Sequence, residues 1–273
     1  MQINHRASPR SIALVKQILS CFGSKHVELT AEQHDHITAD TQAVTHAAFL
    51  SMGTAWQAND QFPWETDRYV GGIENVKVNL MLRIYSNKWH VYAGLAILNP
   101  WAKIQIRQYA KSVTELFKLM LGGERQELER RIKTAGRTVF VSRNSDEDLL
   151  LSDEVLDRFS LGKVPREKKR NNHLALLAMV DCWSELNIVP YDHMICSTPV
   201  SFLIRGDFQV VCPILINLNQ LFRLWLGVTE YLYRKPQLLD EVISTAIEDQ
   251  SFRRDDLEFT FAARVSSFSS LLA

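Results

Sequence analysis

No run of about 18 apolar residues occurs in the chain, so a membrane-spanning helix is not expected. The first ten residues, MQINHRASPR, carry no apolar stretch of the kind that directs secretion. A basic excess is missing as well, since Lys plus Arg and Asp plus Glu both number 31. Proteins that hold nucleic acid through its phosphates normally carry surplus cations, so the balance argues against that class. The four cysteines, Cys21, Cys182, Cys196 and Cys212, are scattered without C-x-x-C spacing, which reads as reduced thiols in a cytoplasmic protein. Nucleotide fingerprints are absent: there is no G-x-G-x-x-G after a strand and no G-x-x-x-x-G-K-[ST], and the pairs Gly71-Gly72 and Gly122-Gly123 lack that context. A G-x-S-x-G nucleophile elbow is also lacking. Only 11 glycines and 8 prolines punctuate 273 residues, and the long periodic segments between them predict a mainly α protein of one large or two small domains.

The punctuation that is present is informative. Ser8 and Pro9 read as an N-cap followed by proline at the first helical position; Ala13, Leu14, Ile18 and Leu19 recur at helical spacing, and Gly23 stops that helix. Lys25 to Leu29 alternates and reads as a short strand. Thr30 and Gln33 have the T-x-x-Q spacing of a capping box and start a long helix near residue 31. Residues 59–70 read as a loop with aromatic anchors. One long helical region is predicted from Ile73 to Leu98, ending at Asn99-Pro100 because the residue before proline disfavours helix. Another helix reaches Met120 before the Gly122-Gly123 turn, and Glu124 to Phe140 is a charged amphipathic helix with its i,i+4 pairs in solvent. Residues 143–153 and 161–172 are read as linkers, and the basic run Arg166 to Arg170 as a solvated loop. Helices resume at His173 to Leu186, Leu221 to Tyr233 and Pro236 to Ala246.

Chemistry concentrates in two stretches. His34 to Trp56 reads as a buried helix that carries two histidines and a glutamine on a small, apolar surface. Buried polar groups need partners, and a ligand is one such partner. Gln42 and His46 are one turn apart and share a face. His34 lies twelve residues before His46, about 18 Å along the axis, so no single metal ion is held by both and no metal is expected. By spacing alone, His46 reads equally well as a histidine satisfied within the core. The second stretch, Asn75 to Pro100, sets Lys77, Arg83 and Lys88 among Val78, Leu80, Leu82, Ile84, Trp89 and Tyr92. Cations on an apolar helix either snorkel to water or meet an anion, and arginine suits a carboxylate through two parallel hydrogen bonds. Both readings stand here: an exposed stripe, or the wall of a site for a small anion.

These stretches resemble the C-terminal half of fungal prephenate dehydrogenases. The resemblance rests on HDHITADTQAVTHAAFLSMG, GGIENVKVN, LRIYSNKWHVYAGLAI followed by Asn-Pro, YDHMICSTP, LFRLWLGVTEYL and DDLEF, and runs from about Ile3 to Glu258. It implies a helical dimerisation and substrate domain over residues 31–273, preceded in residues 1–30 by the last helix and strand of a Rossmann domain. The implied activity is oxidative decarboxylation of prephenate to 4-hydroxyphenylpyruvate in tyrosine biosynthesis, with NADP or NAD as cofactor. A cytoplasmic homodimer is implied, with neither nucleic acid nor membrane as partner, and the small face of Ala47, Ala48 and Ser51 permits close packing for it. His34-Asp35 and His46 match the family's spacing, Gln42 matches some branches, and His46 is the expected direct substrate contact. The family's catalytic histidine and dinucleotide loop belong to an N-terminal half outside this sequence. No catalytic base, no bound cofactor and no turnover by this chain alone are therefore expected. Bacterial relatives place an arginine for the ring carboxylate five residues before an Asp-Pro or Asp-Ala pair, and the matching position here is Gly94, which leaves Arg83 or Lys88 as the replacement. Two other readings are a non-catalytic helical dimer that binds prephenate, tyrosine or a full-length partner, and a metal phosphohydrolase suggested by His34-Asp35. The second lacks a further histidine and aspartate in register.

The likeness breaks between Pro199 and Leu221, where 21 residues, VSFLIRGDFQVVCPILINLNQ, intervene. Val200-Ser201 is encodable as GTAAGT and Gln220 as CAG, the ends of a fungal-type intron that would keep the frame. A β-hairpin insertion, with Phe202 to Ile204 and Phe208 to Val211 flanking Arg205-Gly206-Asp207, is the competing reading. The tail from Arg264 to Ala273 also departs from the family. Translated, the inserted segment exposes apolar strands of high β-propensity. Deletion of Val200 to Gln220 is expected to raise the soluble yield on expression, and an unchanged yield would count against the intron reading.

Overall fold

The computed structural model describes residues 2–3, 6–23, 26–66, 70–140, 149–151, 171–192 and 218–272. The chain opens with a small β-α-β unit. Strands β1 (Gln2–Ile3) and β2 (Glu28–Leu29) pair in parallel, Gln2 opposite Glu28 and Ile3 opposite Leu29. Parallel pairing needs a crossover, which helix α1 (Pro9–Leu19) supplies. Ser8 caps α1 by accepting from the Ser11 N–H at 3.2 Å, with Pro9 at the first position. A short turn, Ser20–Phe22, leads to Gly23 at φ 59, the left-handed stop that glycine adopts without strain. No residue of α1 is buried, and Leu14, Val15, Ile18 and Leu19 stand exposed with Ile3 and Phe22. The strand read at residues 25–29 is thus two residues long among the described residues.

The body is helical. The capping box at Thr30 is complete: the Gln33 N–H donates to the Thr30 hydroxyl and the Thr30 N–H to the Gln33 side chain. The helix it starts is not uniform. It runs as α2 (Ala31–Thr38), one π-helical turn (Ala39–Ala43) and α3 (Val44–Asn59). The region read as one helix from Ile73 is two, α4 (Ile73–Tyr85) and α5 (Trp89–Leu98). Ser86 Oγ and Asn87 Nδ2 both donate to the Arg83 carbonyl, at 2.7 and 2.8 Å, and so compete with the backbone for the acceptor that would carry the helix on. Asn99 ends α5 and caps α6 (Pro100–Gly122), accepting from the N–H groups of Trp101 and Ala102, while its amide donates to the Asp35 carbonyl at 2.7 Å. Gly123, at φ 69, stops α6. The remaining helices are α7 (Arg125–Val139), α8 (Leu174–Glu185), α9 (Leu218–Tyr233), α10 (Pro236–Glu248) and α11 (Arg253–Leu272). Most of both linkers, the basic run, Cys196, Cys212 and the segment from Val200 to Asn217 lie outside the described residues; α9 begins three residues before the expected Leu221.

Helix α8 is the shaft of the body. Every residue from Leu174 to Trp183 is buried, with α3, α6 and α7 packed against it. Its one charge within that run, Asp181, is 2% exposed. Arg131 of α7 answers it with two hydrogen bonds, Nε to Oδ1 at 2.7 Å and Nη2 to Oδ2 at 2.9 Å. Tyr109 of α6 donates to the Ala175 carbonyl at 3.0 Å. On the outer side of α7 the expected solvent pairs form, Glu127 with Arg130 and Glu129 with Lys133.

Helix α11 lies along α3 and α6. Ser51 Oγ of α3 is 3.4 Å from Ser266 Oγ, so this part of the small-residue face, expected to serve a subunit contact, is filled within the chain by α11. Ala47 goes to α6, where it packs with Ala39, Ala43, Ala102 and Ile106. Small side chains allow both approaches, and the correction is one of address: the partner is the chain itself.

Arg131→Ala would leave Asp181 as a buried, unanswered carboxylate and is expected to cost about 3 kcal/mol. The measurement is the midpoint of urea unfolding, read at unchanged slope. A loss below about 1 kcal/mol would mean that water reaches Asp181.

Candidate functional site

The π turn widens the helix just before His46, and it carries Gln42 half-buried on the same stretch. His46 is 6% exposed. Its ring meets the Tyr92 ring edge-on with centroids 4.6 Å apart, which joins α3 to α5. Nδ1 of His46 has no hydrogen-bond partner among the described residues. Burial pushes the imidazole down to about 3, so the ring is neutral and able to donate at one nitrogen and accept at the other. Asn87 Nδ2 donates to the Tyr92 hydroxyl at 2.9 Å. Burial raises the Tyr92 phenol, against the Asn87 hydrogen bond and the nearby charge of Arg83. The structure thus gathers His46, Tyr92, Asn87 and the half-buried Arg83 where α3 meets α4 and α5.

Other residues singled out in the sequence stand elsewhere. Lys88 is exposed at the start of α5. His34 lies on α2, its Nδ1 3.1 Å from the carboxylate of its neighbour Asp35. Lys77 points away from His46: it is 5% exposed and paired with Glu74 one turn before it on α4. His173 Nδ1 is 3.1 Å from the same Glu74 carboxylate. Burial pushes the Glu74 carboxyl up, but Lys77 and His173 outweigh it and hold it down to about 2.

Sequence reasoning missed the roles of Tyr92 and Asn87, which no motif or period marks. It also missed Asp40, which the π turn directs inward. Asp40 accepts from Gln105 of α6, and its other oxygen is 3.1 Å from His36 Nδ1. The ring of His36 meets that of Trp101 edge-on at 5.4 Å. Among the described residues no group of His, Cys, Asp and Glu could hold a metal ion.

A dinucleotide finds no cradle in these residues. The one glycine pair that opens a helix, Gly71-Gly72 with Gly72 at φ 59, precedes α4. Helix N-termini attract phosphate, but here the first turn already holds the ionised Glu74. A second anion would be repelled from it. Gly94, by contrast, has open space beside it, with no atom within 4 Å of where a side chain would start.

The family model described as 6-phosphogluconate dehydrogenase C-terminal domain matches residues 43–270. The chain is similar to a Schizosaccharomyces pombe protein named probable prephenate dehydrogenase, NADP(+): 56% identical over 266 residues, 96% of this chain and 57% of that one. It is also similar to prephenate dehydrogenase, NADP(+), of Saccharomyces cerevisiae: 51% identical over 271 residues, 96% of this chain and 55% of that one. A more distant likeness, 23% over 123 residues, is to a probable arogenate/prephenate dehydrogenase of Methanocaldococcus jannaschii, covering 45% of this chain and 28% of that one. The chain spans about half the length of the two fungal relatives it matches. No solved structure matches.

The neutral His46 sets a pH dependence. Its folded value, about 3, lies below the ordinary 6.5, so between these limits the unfolded chain takes up a proton that the folded chain does not. The stabilisation is complete above pH 6.5 and is lost as pH falls toward 3. His46→Gln is expected to flatten the fall in urea-unfolding free energy between neutral and mildly acidic pH. Equal slopes for variant and parent would show that the ring titrates as if in water.

Proposed function

We propose, for a chain that belongs to the 6-phosphogluconate dehydrogenase C-terminal domain family, that residues 31–273 are the helical substrate and dimerisation domain of a prephenate dehydrogenase. In the same reading residues 1–30 are the end of a nucleotide-binding domain. The parallel strand pair and the uncovered apolar side chains of α1 support that part, because such a unit is stable only when its sheet continues. The intact enzyme would oxidise and decarboxylate prephenate to 4-hydroxyphenylpyruvate, and the names of the two fungal relatives favour NADP as its cofactor. The alternative of a non-catalytic helical dimer draws support only from exposed apolar groups such as Leu257, Phe261 and Val265 on α11.

The observation that carries the reading is His46: a neutral, buried imidazole whose Nδ1 has no partner among the described residues. A group in that state needs a hydrogen bond, and a polar substrate supplies it. Prephenate carries two carboxylates, for which a nearby arginine is the natural counter-charge, and Arg83 stands beside Tyr92 to provide it. Gln42, one turn before His46, extends the polar wall, and Lys88 adds positive charge at the rim. His34 and Lys77 have no part at this point of the fold. The described residues offer neither a dinucleotide cradle nor a base poised for the substrate hydroxyl. The chain's own share of the chemistry is to bind the substrate, fix its orientation and keep water away while the reaction proceeds. A cytoplasmic homodimer completes the proposal.

The test is titration of the chain with prephenate, followed by NMR at the ring carbons of His46. A saturable shift at His46 is expected, with the affinity weakened about tenfold by Arg83→Gln. No shift at millimolar prephenate, with or without a full-length fungal relative added, would remove the substrate site from this helix.

A further inference from the structure

A second cavity, of about 840 Å³ including its open mouth, lies toward the other end of α3. Its α3 wall is Met52, Ala55 and Trp56, six to ten residues beyond His46 and so about 9 to 15 Å further along the axis. The start of α4 faces it with Glu74 and Lys77, the entry to α8 with Asn172, and the start of α11 with Asp255 and Asp256. Two of the stretches that carry the family resemblance, GGIENVKVN and DDLEF, therefore meet here, and the reading built on His46 uses neither.

The charges do not cancel. Lys77 and Glu74 neutralise one another. Arg253 is committed elsewhere: its Nη2 donates to the carbonyls of Met120, Ala246 and Ile247, and Nη1 stays 3.7 Å from Asp256. Asp256 is 6% exposed. Its Oδ2 accepts from Asn172 at 2.7 Å, whereas its Oδ1 has no hydrogen-bond partner among the described residues. Burial pushes this carboxyl up to about 7, which marks a carboxylate short of counter-charge. Asp255, next to it, accepts from the neutral amide of Asn59 at 2.8 Å. Around these oxygens the wall is apolar and ring-sized: Phe252, Phe259 and Met52 are buried, and Trp56 is half-buried.

We propose that this cavity binds a small organic ammonium ion, its amine on the free oxygen of Asp256 with Asp255 beside it, and its apolar body between Trp56, Phe252 and Phe259. An ammonium brings three donors and the missing positive charge, and a hydrogen bond between ionised partners is about twice as strong as a neutral one. An inorganic cation would leave the aromatic wall unused and would find too few oxygens. Two sources share the ammonium chemistry. A simple amine uses the Asp256 end alone. An amino acid adds a carboxylate within the field of Lys77, whose ammonium has only Glu74 as ion-pair partner among the described residues. The inference is independent of the substrate site at His46.

Three probes of one shape test it by calorimetric titration of the full chain: 2-phenylethylamine, L-phenylalanine and 3-phenylpropanoate. At least one of the two ammonium compounds is expected to bind about tenfold or more tightly than 3-phenylpropanoate. Asp255→Asn keeps the oxygen that Asn59 bonds and is expected to fold; it should weaken the ammonium probe severalfold, and Asp256→Asn should abolish its binding. A preference for L-phenylalanine that Lys77→Met removes identifies the amino-acid source, and a preference for the amine identifies the other. The proposal is overturned if neither ammonium compound binds at millimolar concentration, if 3-phenylpropanoate binds as tightly, or if Asp255→Asn leaves the affinity unchanged.

Discussion

The fold depends on how one buried charge is answered. Asp181 sits within a helix whose surroundings are otherwise apolar on every side, so α8 has only one rotation and one depth at which that carboxylate meets Arg131. An all-apolar α8 could slide or turn among α3, α6 and α7 at little cost, because hydrophobic contact has no direction. The paired hydrogen bonds have direction, and they fix the register of the shaft. Tyr109, bonded to the Ala175 carbonyl near the other end of α8, fixes the same register a second time. With the shaft set, α3 lies where α11 covers one side of it and α6 another, and the residues of α3 that face α4 and α5 include His46.

The π turn at Ala39–Ala43 has a similar logic at smaller scale. An extra residue in the turn changes which side chains point inward, and Asp40 thereby reaches Gln105 while His46 reaches Tyr92. Both are polar contacts between helices, and they are made on opposite sides of a single irregular turn. Polar groups in α3 are thus segregated. Those before and within the π turn bind the protein to itself, and His46 just after it keeps one nitrogen unengaged.

Much of this architecture could be read from the sequence where local chemistry decides. Ser8-Pro9, Thr30 with Gln33, Asn99-Pro100 and the glycines at 23 and 123 all stop or start helices where expected, because capping is settled within four residues of chain. Gln42 and His46 could be picked out as polar residues on an apolar helix. What could not be read was anything settled by distant partners. The break after Tyr85 depends on Ser86 and Asn87 capturing a carbonyl in competition with the helix, and the π turn depends on Gln105, 65 residues away. The cations of α4 and α5 could not be sorted by sequence either, since helical spacing separates faces but does not say which neighbour each face meets. Lys77 and Arg83 proved to serve different places, and the small face of α3 proved to be filled by the chain's own C-terminal helix.

Arg253 has a mechanical meaning beyond its charge. One nitrogen of its guanidinium draws in carbonyls from the last turns of two helices, α6 at Met120 and α10 at Ala246 and Ile247. The negative ends of two helix dipoles converge on a single cation. That cation is itself the first residue of α11, whose axis runs back along α3. Three helix ends are therefore tied in one knot, and none can lengthen, shorten or swing without disturbing the other two. A lysine at this position would offer a point charge without the rigid planar fork, and the knot would loosen into independent strands. The C-terminal helix is thus the clasp of the bundle, and its first residue is where the clasp closes.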